Sequence, residues 1–75
     1  MLDEPREALP PYQRIAADIE ADIRAGRLAK GAAVPSLSRL AQEYGVARNT
    51  VVRAMNLLKE KGLIETVQGW GTFVK

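Results

Sequence analysis

Two residue types are missing altogether: the 75-residue chain has no cysteine and no histidine. Without cysteine there are no disulfides and no thiolate metal sites. Without histidine the chain lacks the commonest general base, the imidazole-based triads and most zinc sites. No carboxylate pair with an obvious pocket takes over that work, so an enzyme is a poor reading, and no metal or cofactor is expected. Long apolar runs are also absent, none approaching the roughly 18 residues of a membrane span. The acidic, proline-bearing start does not resemble a signal peptide. A soluble cytoplasmic protein with no membrane partner is the expectation.

What is present fits one small folded domain. Hydrophobic residues make up 47% and charged residues 27%, a globular balance rather than a disordered one. The net charge of +2 hides an asymmetry. Residues 1–22 carry two arginines against six carboxylates, a balance of −4. Residues 23–75 carry nine Lys or Arg against Glu43, Glu60 and Glu65, a balance of +6. A basic stretch of this kind suits a polyanion partner, the plainer reading being an ordinary solvated surface.

Residues 1–9 read as a loose arm, polar and without periodicity. Pro10-Pro11 then opens a helix, since proline is tolerated in a first turn. Tyr12, Ile15, Ala16, Ile19 and Ile23 follow at spacings of three and four, which predicts an apolar stripe on a helix over about 11–25. Gly26 ends it. The segment 27–35, with Gly31 and Pro35, reads as a loop in which Val34 forms a one- or two-residue strand. Ser36 is a good N-cap for a short helix with Leu37, Leu40, Ala41 and Tyr44 as its stripe. Gly45 stops that helix and Val46 plugs the turn. A third helix is predicted over about 48–61, burying Val51, Ala54, Met55 and Leu58, with Lys59 and Lys61 in its last turn and Gly62 closing it. The period then changes: Leu63–Val67 and Thr72–Val74 are β-like, around the Gly-bracketed tip Gln68-Gly69-Trp70-Gly71. The fold class is mainly α with a small β-hairpin, a winged helix-turn-helix over residues 10–75.

Two helices joined by a tight glycine turn are the helix-turn-helix signature, and the second of them enters a major groove by its N-terminal end. At about 100° per residue, Asn49, Val52, Arg53 and Asn56 lie opposite the buried stripe, flanked by Arg48 and Lys59. Arginine can donate two hydrogen bonds to guanine, and asparagine can pair with both edge groups of adenine. Val52 is an apolar residue on this outward face, a candidate for a thymine methyl, the plain alternative being an inconsequential surface hydrophobe. Ser36 and Thr50 place small hydroxyls near helix N-termini, where phosphate is welcome; for Ser36 a plain N-cap role competes with that, and a cap can do both. Ala47 sits where a cap belongs yet cannot cap, which leaves an N–H for water or phosphate. Gly69 and Gly71 let backbone approach another surface. Gln68 can hydrogen-bond to minor-groove acceptors. Trp70 either folds back on the third helix or lies along sugar–phosphate.

Pro35-Ser36, Leu40-Ala41, Gly45-Val46-Ala47-Arg48-Asn49-Thr50-Val51, Gly62-Leu63-Ile64-Glu65 and Gln68-Gly69-Trp70-Gly71-Thr72-Phe73-Val74 together resemble the winged-helix domain of the GntR family of bacterial transcription regulators. Pro11-Tyr12-Gln13-Arg14-Ile15 resembles the start of that domain. The resemblance implies a dimer on a (pseudo)palindromic double-stranded operator, the third helix in the major groove and the wing tip, about 67–72, at the minor groove. By position, Arg48 and Thr50 match the family's arginine and threonine at the start of the recognition helix, Gln68 and Gly69 its wing tip, and Ser36 a serine before the second helix.

The chain departs from the family's basic pattern at three positions. Many members carry an arginine where this chain has Ser38; here the arginine comes one position later, as Arg39, and both are counted among the expected DNA contacts. Many carry an arginine where this chain has Val52. Trp70 replaces the usual basic residue at the wing. An operator of its own is therefore expected. Family members normally add a C-terminal effector domain that often makes the dimer. This chain ends at Lys75, directly after the wing, which fits either an excised domain or a compact stand-alone member, with no small-molecule pocket expected in it. The leading reading is sequence-specific DNA binding by a transcription regulator, a repressor sooner than an activator. The alternative is a winged helix for protein contact, an accessory module in a plasmid, phage or recombination complex.

Overall fold

The computed structural model describes residues 9–75, so the arm expected over 1–9 falls, but for Leu9, outside the described residues. Pro10 is the N-cap and Pro11 the first residue of α1 (Pro11–Arg24). Its Ile15, Ala16 and Ile19 are buried, with Tyr12 and Ile23 half-buried beside them, along the expected stripe. Gly26, at φ 83°, turns the chain, and Leu28 donates its N–H back to the Asp22 carbonyl.

The Ser36 hydroxyl accepts the Arg39 N–H at 3.1 Å and so caps α2 (Leu37–Tyr44). Gly45 takes the left-handed conformation, φ 66°, which costs glycine no Cβ clash. Val46 then donates to the Ala41 carbonyl and packs against the core. After that turn comes α3 (Arg48–Glu60), whose N-cap Ala47 makes no side-chain cap bond. Val51, Ala54 and Leu58 are wholly enclosed and Met55 nearly so. Lys61 is the C-cap of α3 rather than part of its last turn.

Strands β1 (Ile64–Val67) and β2 (Gly71–Val74) form an antiparallel hairpin with Ile64 opposite Val74 and Val67 opposite Gly71. Gly71 thus belongs to β2, and the turn is Gln68-Gly69-Trp70, closed by the Trp70 N–H on the Val67 carbonyl. The expected short strand near Val34 takes the form of a bridge between Ala33 and Phe73, with the Val34 N–H donating to the Thr72 carbonyl. This bridge ties the 31–34 segment to β2, with the Gly31 N–H donating to the Val74 carbonyl and the Val74 N–H to the Ala32 carbonyl. Ile15, Val51, Leu58 and Ile64 are the most enclosed large side chains, so α1, α3 and the hairpin share one core. Among the described residues no helix is long and apolar enough to cross a membrane.

Candidate nucleic-acid interface

The apolar stripe of α3 turns inward, which leaves Arg48, Asn49, Arg53, Asn56 and Lys59 exposed on the other side. Among the described residues neither Arg48 nor Lys59 takes part in an ion pair. Other cations are already neutralised: Arg24 and Lys61 by Glu20, and Arg27 by Asp22. Arg48, Arg53 and Lys59 thus stand on α3 outside any ion pair among the described residues. Arg48 stands at the first turn of a helix whose N–H groups receive no side-chain cap, where the helix dipole adds positive potential.

The expected reading face is narrower than the helical wheel drew it. Val52 is half-buried, not exposed, and lines a shallow groove with Leu37, Met55, Thr66 and Thr72. The wheel considers α3 alone; Leu37 of α2 and Thr66 and Thr72 of the hairpin border this edge of it. Arg53 is exposed, but its guanidinium lies over the Tyr12 ring, 4.1 Å from the centroid. It therefore leans toward α1, while Asn49 and Asn56 remain open. Thr50 is half-buried at the helix start, its N–H donating to the Ala47 carbonyl at 3.0 Å.

On α2, Ser36 and Ser38 are exposed, and Arg39 pairs with Glu43 at 2.9 Å. That pair is solvent-exposed on both sides and contributes about 0.3–0.5 kcal/mol, a weak hold on Arg39. The wing tip carries Gln68, Gly69 and Trp70, all exposed. Trp70 does not fold back on α3: it is 81% exposed. Its ring does border a groove with Pro35 and Ser36, so folding brings the wing tip beside the start of α2. Sequence reasoning missed Tyr12 as a neighbour of the reading face. Its helical spacing marks it only as a core residue, and nothing local announces the contact with Arg53.

Two perturbed groups lie behind this face and hold the helices in register. The Lys61 ammonium, and secondarily Arg24, keep the Glu20 carboxyl below its ordinary value of 4.5. Burial, reinforced by the hydrogen bond to Asp18, pushes the Tyr44 phenol up to about 12.

The family model described as bacterial regulatory proteins, gntR family, matches residues 11–74. The chain belongs to the gntR family. Among gntR-type relatives, the mannosyl-D-glycerate transport/metabolism system repressor MngR of Escherichia coli (strain K12) is 44% identical over 66 residues, 88% of this chain and 28% of MngR. The transcriptional regulator YydK of Bacillus subtilis (strain 168) is 38% identical over 64 residues, 85% of this chain and 27% of YydK. The chain thus spans under a third of the length of these two relatives. Among solved structures, the AraR DNA-binding domain in complex with operator ORR3 superposes with a TM-score of 0.86 at 33% identity, covering 100% of this chain and 88% of that one. A gntR-type winged helix is therefore the fold, with three helices followed by the two-stranded wing.

Proposed function

We propose that this domain binds double-stranded operator DNA sequence-specifically and regulates transcription as a repressor. The observation that carries this is the outward face of α3, where Arg48, Asn49 and Asn56 are exposed and Arg48 is free of ion pairs among the described residues. Arg48, Asn49, Thr50, Val52, Arg53 and Asn56 face the major groove. Ser36, Ser38 and Arg39 meet the phosphate backbone beside it. Gln68, Gly69 and Trp70 reach the minor groove. The relatives support the reading: MngR is named a repressor, and the AraR domain was solved on its operator. The domain acts by occupying DNA rather than by catalysis, inside the cytoplasm of a bacterium. Two copies sit on a (pseudo)palindromic site, since one reading helix covers only one half-site.

The test is selection from a pool of random duplexes. Enrichment of two inverted half-sites about 10 base pairs apart, or a multiple of that, is expected. Affinity should fall steeply with added salt as counterions are released. A pool that returns no preferred site, with no salt-sensitive binding, would overturn the reading in favour of a protein-contact module.

A further inference from the structure

We infer that Tyr12 is a positioning residue for Arg53, and that the pair grips a backbone phosphate at the α1 edge of the major groove instead of reading a base. The inference rests on the DNA-binding reading above and reassigns one of its residues. Arg53 shares the α3 surface with Asn49 and Asn56, which projects straight into a groove on a helical wheel. Its guanidinium nevertheless lies 4.1 Å from the centroid of the Tyr12 ring, which pulls it off that line and toward α1. A cation over an aromatic face is held by the ring quadrupole. The ring itself has little freedom: Tyr12 is half-buried against the core, and its hydroxyl accepts a hydrogen bond from Gln13 Nε2 at 3.0 Å.

Stacking of this kind covers one face of the guanidinium and leaves its edge donors open. Those donors match two phosphate oxygens in one plane. In the proposed complex the phosphate-lined wall of the groove lies on the side to which Tyr12 draws these donors. The same shallow groove also contains Asn56, Leu57 and Glu60. Glu60 is two helical turns beyond Arg53 and makes no ion pair with it, so the arginine's charge is not cancelled internally.

The experiment uses the 75-residue chain with two probes: the duplex enriched from the random pool, and a scrambled duplex of the same length and composition. Arg53→Ala should weaken both by about tenfold, leaving their ratio unchanged. The slope of log affinity against log salt should fall by about 0.9, one phosphate. Tyr12→Leu should reproduce this in part, and Tyr12→Phe, which keeps the ring, should retain wild-type affinity and slope. In an Arg53→Ala background Tyr12→Leu should cost nothing further on DNA, whereas a merely structural role would add its own loss. A ratio that collapses with Arg53→Ala while scrambled-duplex binding holds makes Arg53 a base reader and overturns the inference alone. So does a Tyr12→Leu loss that persists without Arg53. If the unaltered chain binds neither duplex, the DNA-binding reading falls and the inference with it.

Discussion

The phenol of Tyr44 donates its proton to an oxygen of Asp18, 2.9 Å away and 26 residues earlier in the chain. This bond fastens the last turn of α2 to the middle of α1, one residue before the glycine turn that leads to α3. The Tyr44 pKa rises from 10.0 to about 12, so the folded state favours the protonated phenol. Its contribution is complete below pH 10 and is lost as pH rises from 10 toward 12. Thermal melts across that window should show falling stability, and Tyr44→Phe should flatten the fall. At pH 7 the same substitution should cost about 1–3 kcal/mol, because a partly buried carboxylate loses a donor.

Glu20 ties α1 to the end of α3, accepting from Arg24 and from Lys61 at 2.9 Å. Its folded pKa is depressed, so its stabilisation is present above 4.5 and is lost as pH falls through the lowered value. Glu20→Gln should lower the melting temperature at pH 7 and reduce the loss between pH 5 and pH 3. Both cations are largely exposed, which limits the effect to about 1 kcal/mol. Differential scanning calorimetry over that pH range measures it.

Arg48→Ala should weaken binding to the selected operator by about 1–3 kcal/mol and leave the melting temperature unchanged. Titration against the operator and against a scrambled duplex separates its role. A loss confined to the operator marks a base contact, the expected result. Equal losses on both would mark a phosphate contact and move base reading to Asn49 and Asn56.

Trp70 is the protein's one tryptophan and is 81% exposed, so its emission reports the wing tip directly. Adding duplex should quench or shift that emission. Trp70→Ala should change stability by no more than about 0.5 kcal/mol, since almost no surface is uncovered. It should weaken operator binding. Emission unaffected by saturating duplex would remove Trp70 from the interface.

The helices were legible because each of their signals is local. Proline at the first turn of α1, Ser36 as the cap of α2, and Gly26, Gly45 and Gly62 beyond the helix ends each act within a few residues. The hairpin showed itself by its change of period. The half-burial of Val52 and the stacking of Arg53 are not legible in the sequence for one shared reason: their neighbours come from elsewhere in the chain. Leu37 of α2 and Thr66 and Thr72 of the wing border one groove with Val52, and the Tyr12 ring of α1 lies against the Arg53 guanidinium. The exposure of Trp70 stood as one of two alternatives, because periodicity cannot say which way a hairpin tip leans. Ion pairing was illegible in part too: Lys61 and Glu20 lie 41 residues apart.

The division of α3 into an enclosed stripe and an open face bears on how such a domain can diversify. Asn49 and Asn56 project from the open side, so exchanging them carries little thermodynamic risk. Val52 is the exception. Half-buried along a groove with Leu37, Thr66 and Thr72, it couples packing to the outward surface, so an exchange there carries a stability cost that exchanges at Asn49 and Asn56 do not. Under the proposed DNA-binding reading, Asn49 and Asn56 are thus the positions where recognition can drift with least cost to the fold, and Val52 is the one where it cannot.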